Sequence, residues 1–280
     1  MAGIELGILS GYDGSPGSQE ALAWAAAETA SRREPLTVCS AWAPGYPALP
    51  GDVTAFDLAR RSGERTLAQG VQFLHDRMVP VDIRPLLTAG PAAAVLCQHS
   101  ARAGMLVVGS RGQGGVAGLL LGSVSSQVAA HAHGRVVVVR GHWRRVPSHV
   151  PPLIVVGSEG SAASAAAVEF AFEEAAYHDT ALLAVCALAD APGNLGCARE
   201  IEDSFEHLIS RCEKAHPEVA VGRRISPGCA RTALLDAAGE AQLLVVGARG
   251  RGGVEGMMLG SVSTALLQHA PCPVGIVHGG

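Results

Sequence analysis

The sequence predicts an α/β protein made of two doubly wound, parallel-sheet domains. Three observations carry this reading. Short β-branched runs alternate with longer alanine-rich segments, the order expected when each strand is followed by a helix. The strand runs are apolar throughout instead of alternating, which argues for strands covered on both faces. The pattern also recurs. ILSGYDGSPGSQEALAWAAAE (8–28) aligns with IVVGSEGSAASAAAVEFAFEE (154–174) at an offset of 146. GSRGQGGVAGLLLGS (109–123) aligns with GARGRGGVEGMMLGS (247–261) at an offset of 138, so the first copy holds 8 extra residues between the two motifs.

In the first copy, strands are predicted at 4–11 (IELGILSG), 36–42 (LTVCSAW), 81–87 (VDIRPLL), 105–109 (MLVVG) and 135–140 (RVVVVR). Helices fall at about 16–33, 57–78, 91–103 and 123–132, where alanine and polar residues replace the β-branched runs. The second copy repeats the strands at 153–157, 181–188, 219–225, 242–247 and 273–278. The domains are read as 1–140 and 153–280, joined by GHWRRVPSHVPP at 141–152, polar and proline-containing as a linker should be. Ligands of this fold class bind beyond the carboxyl ends of the strands, where the winding reverses, and each glycine loop leaves its fourth strand at that edge.

Composition sets the outer limits. The 280 residues are 48% hydrophobic and 16% charged, enough to bury two cores of ordinary size. The N-terminal segment has no cationic region ahead of an apolar one, and no apolar stretch approaches the ~20 residues that span a bilayer, so no membrane partner and a cytoplasmic location are expected. Seven cysteines (39, 97, 186, 197, 212, 229 and 272) lack CxxC spacing and are expected as free, mostly buried thiols. Residues 1–140 carry 11 basic and 10 acidic side chains, whereas 151–280 carry 8 and 15. Neither half has the basic surplus that tracking phosphates along a nucleic acid requires, so no nucleic-acid partner is expected. Lys214 is the only lysine, which removes most lysine-dependent mechanisms.

The glycine loops look like phosphate cradles. A P-loop needs GxxxxGK[ST], and neither loop contains lysine. Residues 112–117 match GxGxxG/A, but no Asp or Glu occurs between Arg111 and Glu159 to hold a ribose, and the second copy breaks the pattern at Glu255. Both copies share a different spacing, Gly-x2-Gly-x9-Gly-Ser: Gly109, Gly112, Gly122 and Ser123, then Gly247, Gly250, Gly260 and Ser261. Glycines at a strand end let backbone N–H groups turn toward an anion. The Gly-Ser pair falls where the fourth helix begins, and there the unpaired N–H groups, the dipole and the hydroxyls of Ser123 and Ser125, or Ser261 and Ser263, favour a phosphate. The bland alternative is that Ser123 caps a helix and the glycines only turn the chain; identical spacing in two copies weighs against it.

These loops, together with GYDGSPGSQEALAWA and the closing runs RVVVVR and PCPVGIVH, resemble the universal stress protein family in its tandem, ATP-binding form. The resemblance implies the adenine-nucleotide α-hydrolase-like fold, strand order 3-2-1-4-5, with ATP across the ends of strands 1, 2 and 4. It implies that Asp13 lies near the ribose, the phosphates or their Mg2+, and that Ser40 and Ala41 offer backbone groups to adenine. Gly109 and Gly112 would approach ribose and phosphate, and Gly122, Ser123, Val124 and Ser125 would hold the triphosphate. Gly247, Gly250, Gly260, Ser261, Val262 and Ser263 match in the second copy. Glu159 stands where the pattern has Asp, and its extra methylene is expected to displace a ligand at that strand end and weaken nucleotide binding in the second copy.

Arg111 and Arg249 precede the second glycine and read equally as phosphate contacts or solvated loop charges. His131 and His269 end the fourth helices, where histidine complements the dipole. Trp42 reads as an adenine neighbour or a packing residue. Two function classes stand: a regulatory ATP-binding module of the stress response with at most slow hydrolysis, acting on an unidentified protein partner, or an ATP-using enzyme, adenylating or pyrophosphatase in type, with a second substrate. SGYDGS (10–15) matches the SGGxDS loop of such enzymes poorly, HxGH and GxSxG are absent, and no acid–base pair stands out, which favours the module. The fifth strands, apolar and terminal in each unit, are expected to pair antiparallel about a pseudo-two-fold axis as an internal dimer, with homodimerisation optional. The 12-residue linker, reaching about 40 Å when extended, permits this.

Overall fold

The computed structural model describes residues 5–44, 53–114, 120–140, 152–188, 195–250 and 259–279. The linker read at 141–152 lies outside these apart from Pro152, as does 115–119 of the first glycine loop. The chain forms two compact units, 1–141 and 142–280. Unit 1 runs β1 (Ile8–Gly11), α1 (Pro16–Arg32), β2 (Leu36–Trp42), α2 (Val53–His75), β3 (Ile83–Ala89), α3 (Ala92–Ser100), β4 (Met105–Gly109), α4 (Ser123–His131) and β5 (Arg135–Val139). Its strands are ordered β3-β2-β1-β4-β5, and every pairing among them is parallel.

Unit 2 repeats the plan with β6 (Leu153–Gly157), α5 (Ala162–Tyr177), β7 (Ala181–Leu188), α6 (Leu195–Ala215), β8 (Val221–Pro227), α7 (Ala230–Ala237), β9 (Leu243–Gly247), α8 (Ser261–His269) and β10 (Val274–Val277). A 3-10 turn at Ala238–Glu240 follows α7. Taken from its third strand, the order is β8-β7-β6-β9-β10, again 3-2-1-4-5 and parallel.

The layers follow from the strand order. In unit 1, α1 packs over β4, β1 and β5 and touches α2, which covers β2 and β3, while α3 and α4 pack together and touch β1, β2, β4 and β5. The connection leaving β1 therefore goes to one face and the connection leaving β4 to the other, although β1 and β4 are hydrogen-bonded neighbours through Ile8–Met105, Leu9–Leu106 and Ser10–Val107. Such a reversal opens a crevice at the carboxyl ends of those two strands. Ile8, Leu9, Leu36, Val38, Met105, Leu106, Val107 and Val136 are buried beneath it, and Ile154, Val155, Leu182, Leu244 and Val245 do the same in unit 2.

Three strands depart from their expected limits by two residues or more, each for a local reason. β1 starts at Ile8 instead of residue 4 because Gly7 turns through φ +59° against Pro35, where a Cβ would stand 2.1 Å from the Pro35 carbonyl oxygen. β3 lies two residues later than expected because its pairing follows β2, from Leu36–Ile83 to Trp42–Ala89. β8 is displaced likewise against β7, from Leu182–Val221 to Leu188–Pro227. Among the cysteines, Cys39, Cys186, Cys212 and Cys272 are buried, Cys97 is half-buried and Cys229 is exposed.

Candidate functional site

A cleft of about 270 Å³ lies at the carboxyl ends of β1, β2 and β4. Its apolar floor is Gly11, Cys39, Leu96 and Val108, and its rim carries Asp13, Arg111, Gln113 and the start of α4. Burial pushes the Cys39 thiol up to about 12, so it is a neutral wall atom and no nucleophile near neutrality. Unit 2 has a cleft of about 400 Å³ at matched positions, lined by Glu159, Val185, Ala187, Leu234, Val246 and Arg249.

The far wall of each cleft is a helix start left open. The first helix of each unit is capped by a serine: the Ser15 hydroxyl accepts the Ser18 N–H at 3.2 Å, and the Ser161 hydroxyl accepts the Ser164 N–H at 3.2 Å. The fourth helices are not. The N-cap of α4 is Gly122 (φ −74°, ψ 158°) and that of α8 is Gly260 (φ −71°, ψ 156°), neither with a side-chain cap. Ser123, read from sequence as a cap residue in the bland alternative, is the first helical residue instead, as is Ser261 in unit 2. Ser125 turns inward and donates to the Gly109 carbonyl at 2.6 Å, and Ser263 does the same to Gly247 at 2.8 Å. The first N–H groups of α4 and α8 thus face the clefts without a side-chain acceptor, the arrangement that binds anions.

Backbone bonds place these helix starts over the strand ends. Gly122 N–H donates to the Ser110 carbonyl at 2.8 Å, and Gly260 N–H to the Ala248 carbonyl at 2.8 Å. Close packing holds the outgoing limb in unit 1: a Cβ on Gly109 would meet the Gly17 carbonyl oxygen at 2.3 Å, and one on Gly17 would meet the Arg111 carbonyl oxygen at 2.3 Å. Ala163 replaces Gly17 in unit 2, and the corresponding distance from Gly247 to the Ala163 carbonyl oxygen opens to 3.3 Å.

Asp13 sits at the end of β1, exposed toward the cleft. Its Oδ1 accepts the Ser15 N–H at 2.9 Å and its Oδ2 the Gln113 N–H at 3.0 Å. Partial burial is the largest single influence on this carboxyl and would by itself raise its pKa. The Ser15 hydroxyl, the Ser15 and Gln113 N–H groups and the Ser18 hydroxyl together outweigh it and hold the pKa below 3.8. Glu159, its counterpart, accepts from the Ser161 hydroxyl.

Most of the residues singled out in the sequence meet at the two clefts. Asp13, Ala41, Gly109, Arg111, Gly112, Gly122, Ser123, Val124 and Ser125 line the first. Glu159, Gly247, Arg249, Gly250, Gly260, Ser261, Val262 and Ser263 line the second. Ser40 is buried within β2 and is not among the lining residues. Trp42 stacks edge-on against Phe56 of α2 at 6.3 Å, a packing role. The His131 ring lies 2.9 Å from the Gln127 carbonyl oxygen on its own helix.

Two residues that hold the first glycine loop escaped sequence reasoning. Gln113 bonds to Asp13 twice, once through its backbone N–H and once through its side chain. Arg140, just beyond β5, donates to the Leu120 carbonyl at 2.6 Å, and burial followed by the nearby Arg111 guanidinium lowers its pKa. Two cations thus stand near one limb of the first glycine loop. His278 occupies the matched position in the second copy, so the charge at 140 was the available signal.

A sequence model described as the universal stress protein family matches residues 7–140 and again 153–278. The chain belongs to the universal stress protein family. It is 33% identical over 295 aligned residues to a universal stress protein of Mycolicibacterium smegmatis, covering 99% of this chain and 98% of that one. It is 35% identical over 302 aligned residues to one of Mycobacterium tuberculosis, covering 96% and 94%. Among solved structures, a universal stress protein from Archaeoglobus fulgidus superposes with a TM-score of 0.74 at 21% identity over 98% of both chains, a likeness of fold. In this family member no helix among the described residues is long and apolar enough to cross a membrane.

The Asp13 geometry makes acid stability testable. Its pKa is lowered in the folded state, so its contribution is fully present above the unfolded value of 3.8 and is lost as pH falls through the folded value. Urea denaturation at several pH values should find Asp13→Asn less stable than wild type near pH 7, with the gap closing in acid. A gap independent of pH would contradict this account.

Proposed function

We propose that this universal stress protein binds an adenine nucleotide, ATP with Mg2+, at the strand ends of its units, and that occupancy acts as a regulatory signal to a protein partner in a cytoplasmic stress response. The observation that carries the reading is the pair of glycine-capped helix starts, α4 and α8, each opening on a glycine loop at the switch point of its sheet. Phosphate groups suit those N–H donors, with Arg111 and Arg249 at the rims. The apolar floors suit a flat base, and Ala41 is the second-strand residue placed to meet it.

The first cleft fits a nucleotide-borne Mg2+. Mg2+ is commonly held by one or two carboxylates plus substrate phosphates, and Asp13 supplies one ionised carboxylate whose oxygens accept the Ser15 and Gln113 N–H groups, one each. Bound there, the ion would neutralise phosphate charge. Binding without rapid turnover is supported by the lining: Asp13 is too acidic to serve as a base near neutrality, and Cys39 is too weak an acid to be a nucleophile.

Isothermal titration of the intact chain with Mg2+·ATP should give micromolar-order affinity, weakened when the phosphates are removed; no binding at millimolar ATP would refute the reading. Gly122→Val should abolish the first site, because a Cβ there already stands 3.2 Å from the Ser110 carbonyl oxygen and branching adds bulk beside the open N–H groups.

The units should contribute unequally. Asp13 joins the strand end to the glycine loop, whereas Glu159 leans on Ser161 beside a roomier Gly250. Asp13→Ala is expected to cost more nucleotide occupancy than Glu159→Ala, measured by counting nucleotide released on denaturation; equal losses would remove the asymmetry.

We also infer, from the sequence pattern of the fifth strands, that these pair with each other. Amide exchange in the intact chain checks this. Pairing on both sides should protect every amide from Val136 to Val139, while an open edge would leave alternate ones in fast exchange.

A further inference from the structure

Gln113 holds Asp13, a hundred residues away, by two hydrogen bonds, both of which it donates. Gln113 N–H donates to Asp13 Oδ2 at 3.0 Å, and Gln113 Nε2 donates to the Asp13 backbone carbonyl at 2.6 Å. Only the NH2 end of the amide can meet a carbonyl, so the side chain has one productive orientation. The loop main chain lies directly on the carboxylate: a Cβ on Gly112 would be 2.4 Å from Asp13 Oδ2. The amide also lies over the β1–α1 turn, 3.2 Å from a Cβ built on Gly14. Each carboxylate oxygen, having accepted one N–H, retains acceptor capacity, and Asp13 lines the cleft.

We propose that Gln113 is the positioning residue of the first cleft: its paired hydrogen bonds fasten the glycine loop to the end of β1, so that the loop and the Asp13 carboxylate are set before a nucleotide arrives. This rests on the nucleotide reading above. Fixing the loop in advance removes ordering cost from binding, so the clasp raises affinity without itself touching the phosphates. The second copy carries Arg251 at the matched position, a longer residue type that also has N–H donor groups.

The test uses the intact chain. In the ligand-free protein, Gln113→Ala should speed amide exchange across residues 109–114 by about tenfold while the strands stay protected. Titration with Mg2+·ATP should then find one site weakened by about 3–10-fold, the worth of one net hydrogen bond. Gln113→Glu, the same shape without a donor and with an added negative charge beside Asp13, should lose at least as much, and Gln113→Arg, which restores a donor, should recover affinity to within about twofold. Unchanged exchange in Gln113→Ala would overturn the clasp whatever the nucleotide does. Faster exchange with wild-type affinity, or no rescue by arginine, would overturn the positioning role. Wild type that binds no nucleotide, beside faster exchange in the variant, would overturn the nucleotide reading and the positioning role with it, while leaving the clasp as a fact of the fold.

Discussion

One backbone hydrogen bond decides where the chemistry of each unit lies. Gly122 N–H to the Ser110 carbonyl, and Gly260 N–H to the Ala248 carbonyl, both 2.8 Å, return the chain to the end of the fourth strand before the helix begins. A helix started one turn earlier or later would aim its free N–H groups elsewhere. Neighbouring bonds lock the same corner: Ser110 N–H reaches Val139, Ser125 Oγ reaches Gly109, and Ser126 N–H reaches Gly122. The serine side chains that could have capped these helices are thereby drawn inward or left at the first helical position, so the helix start stays open to an outside anion.

The same corner in unit 2 is built with slightly larger parts. Alanine replaces Gly17, and the outgoing limb stands farther from the first helix. Glutamate replaces Asp13 and bonds to its own turn through Ser161. A short carboxylate can serve both the turn after the first strand and the glycine loop, and in unit 1 it does so through Ser15 and Gln113. One added methylene and one added methyl thus accompany a cleft of about 400 Å³ in place of about 270 Å³. Duplication preserved the backbone logic and relaxed its fit.

Much of this was legible in the sequence because it depends on backbone and on burial. Continuous apolar runs identified the strands, and the duplicated glycine spacing located both helix starts to the residue. Strand limits were less legible, since β3 and β8 take theirs from neighbours and mix exposed arginines such as Arg84 and Arg223 with apolar positions. Gln113 and Arg140 were illegible for another reason. Each acts on a main-chain carbonyl, of Asp13 or Leu120, and a carbonyl has no sequence signature. Side-chain alternation along β2 puts Cys39 and Ala41 in the lining and leaves the intervening Ser40 side chain buried, while the backbone role expected of Ser40 does not depend on that alternation.

Recognition by backbone groups also bears on what such a cleft can do. A hydroxyl, thiol or imidazole can donate a proton or attack; an N–H at a helix start can only bind and orient. Where side chains do enter the first cleft, each is held at one extreme: Asp13 is kept ionised by its donors, Cys39 is kept neutral by burial, and Arg111 is an exposed permanent cation. None is poised to change protonation near neutral pH, which general acid–base catalysis requires. The glycine loop is fastened at one limb by Gln113 and at the other by Arg140, so its two ends are also held through main-chain carbonyls, those of Asp13 and Leu120.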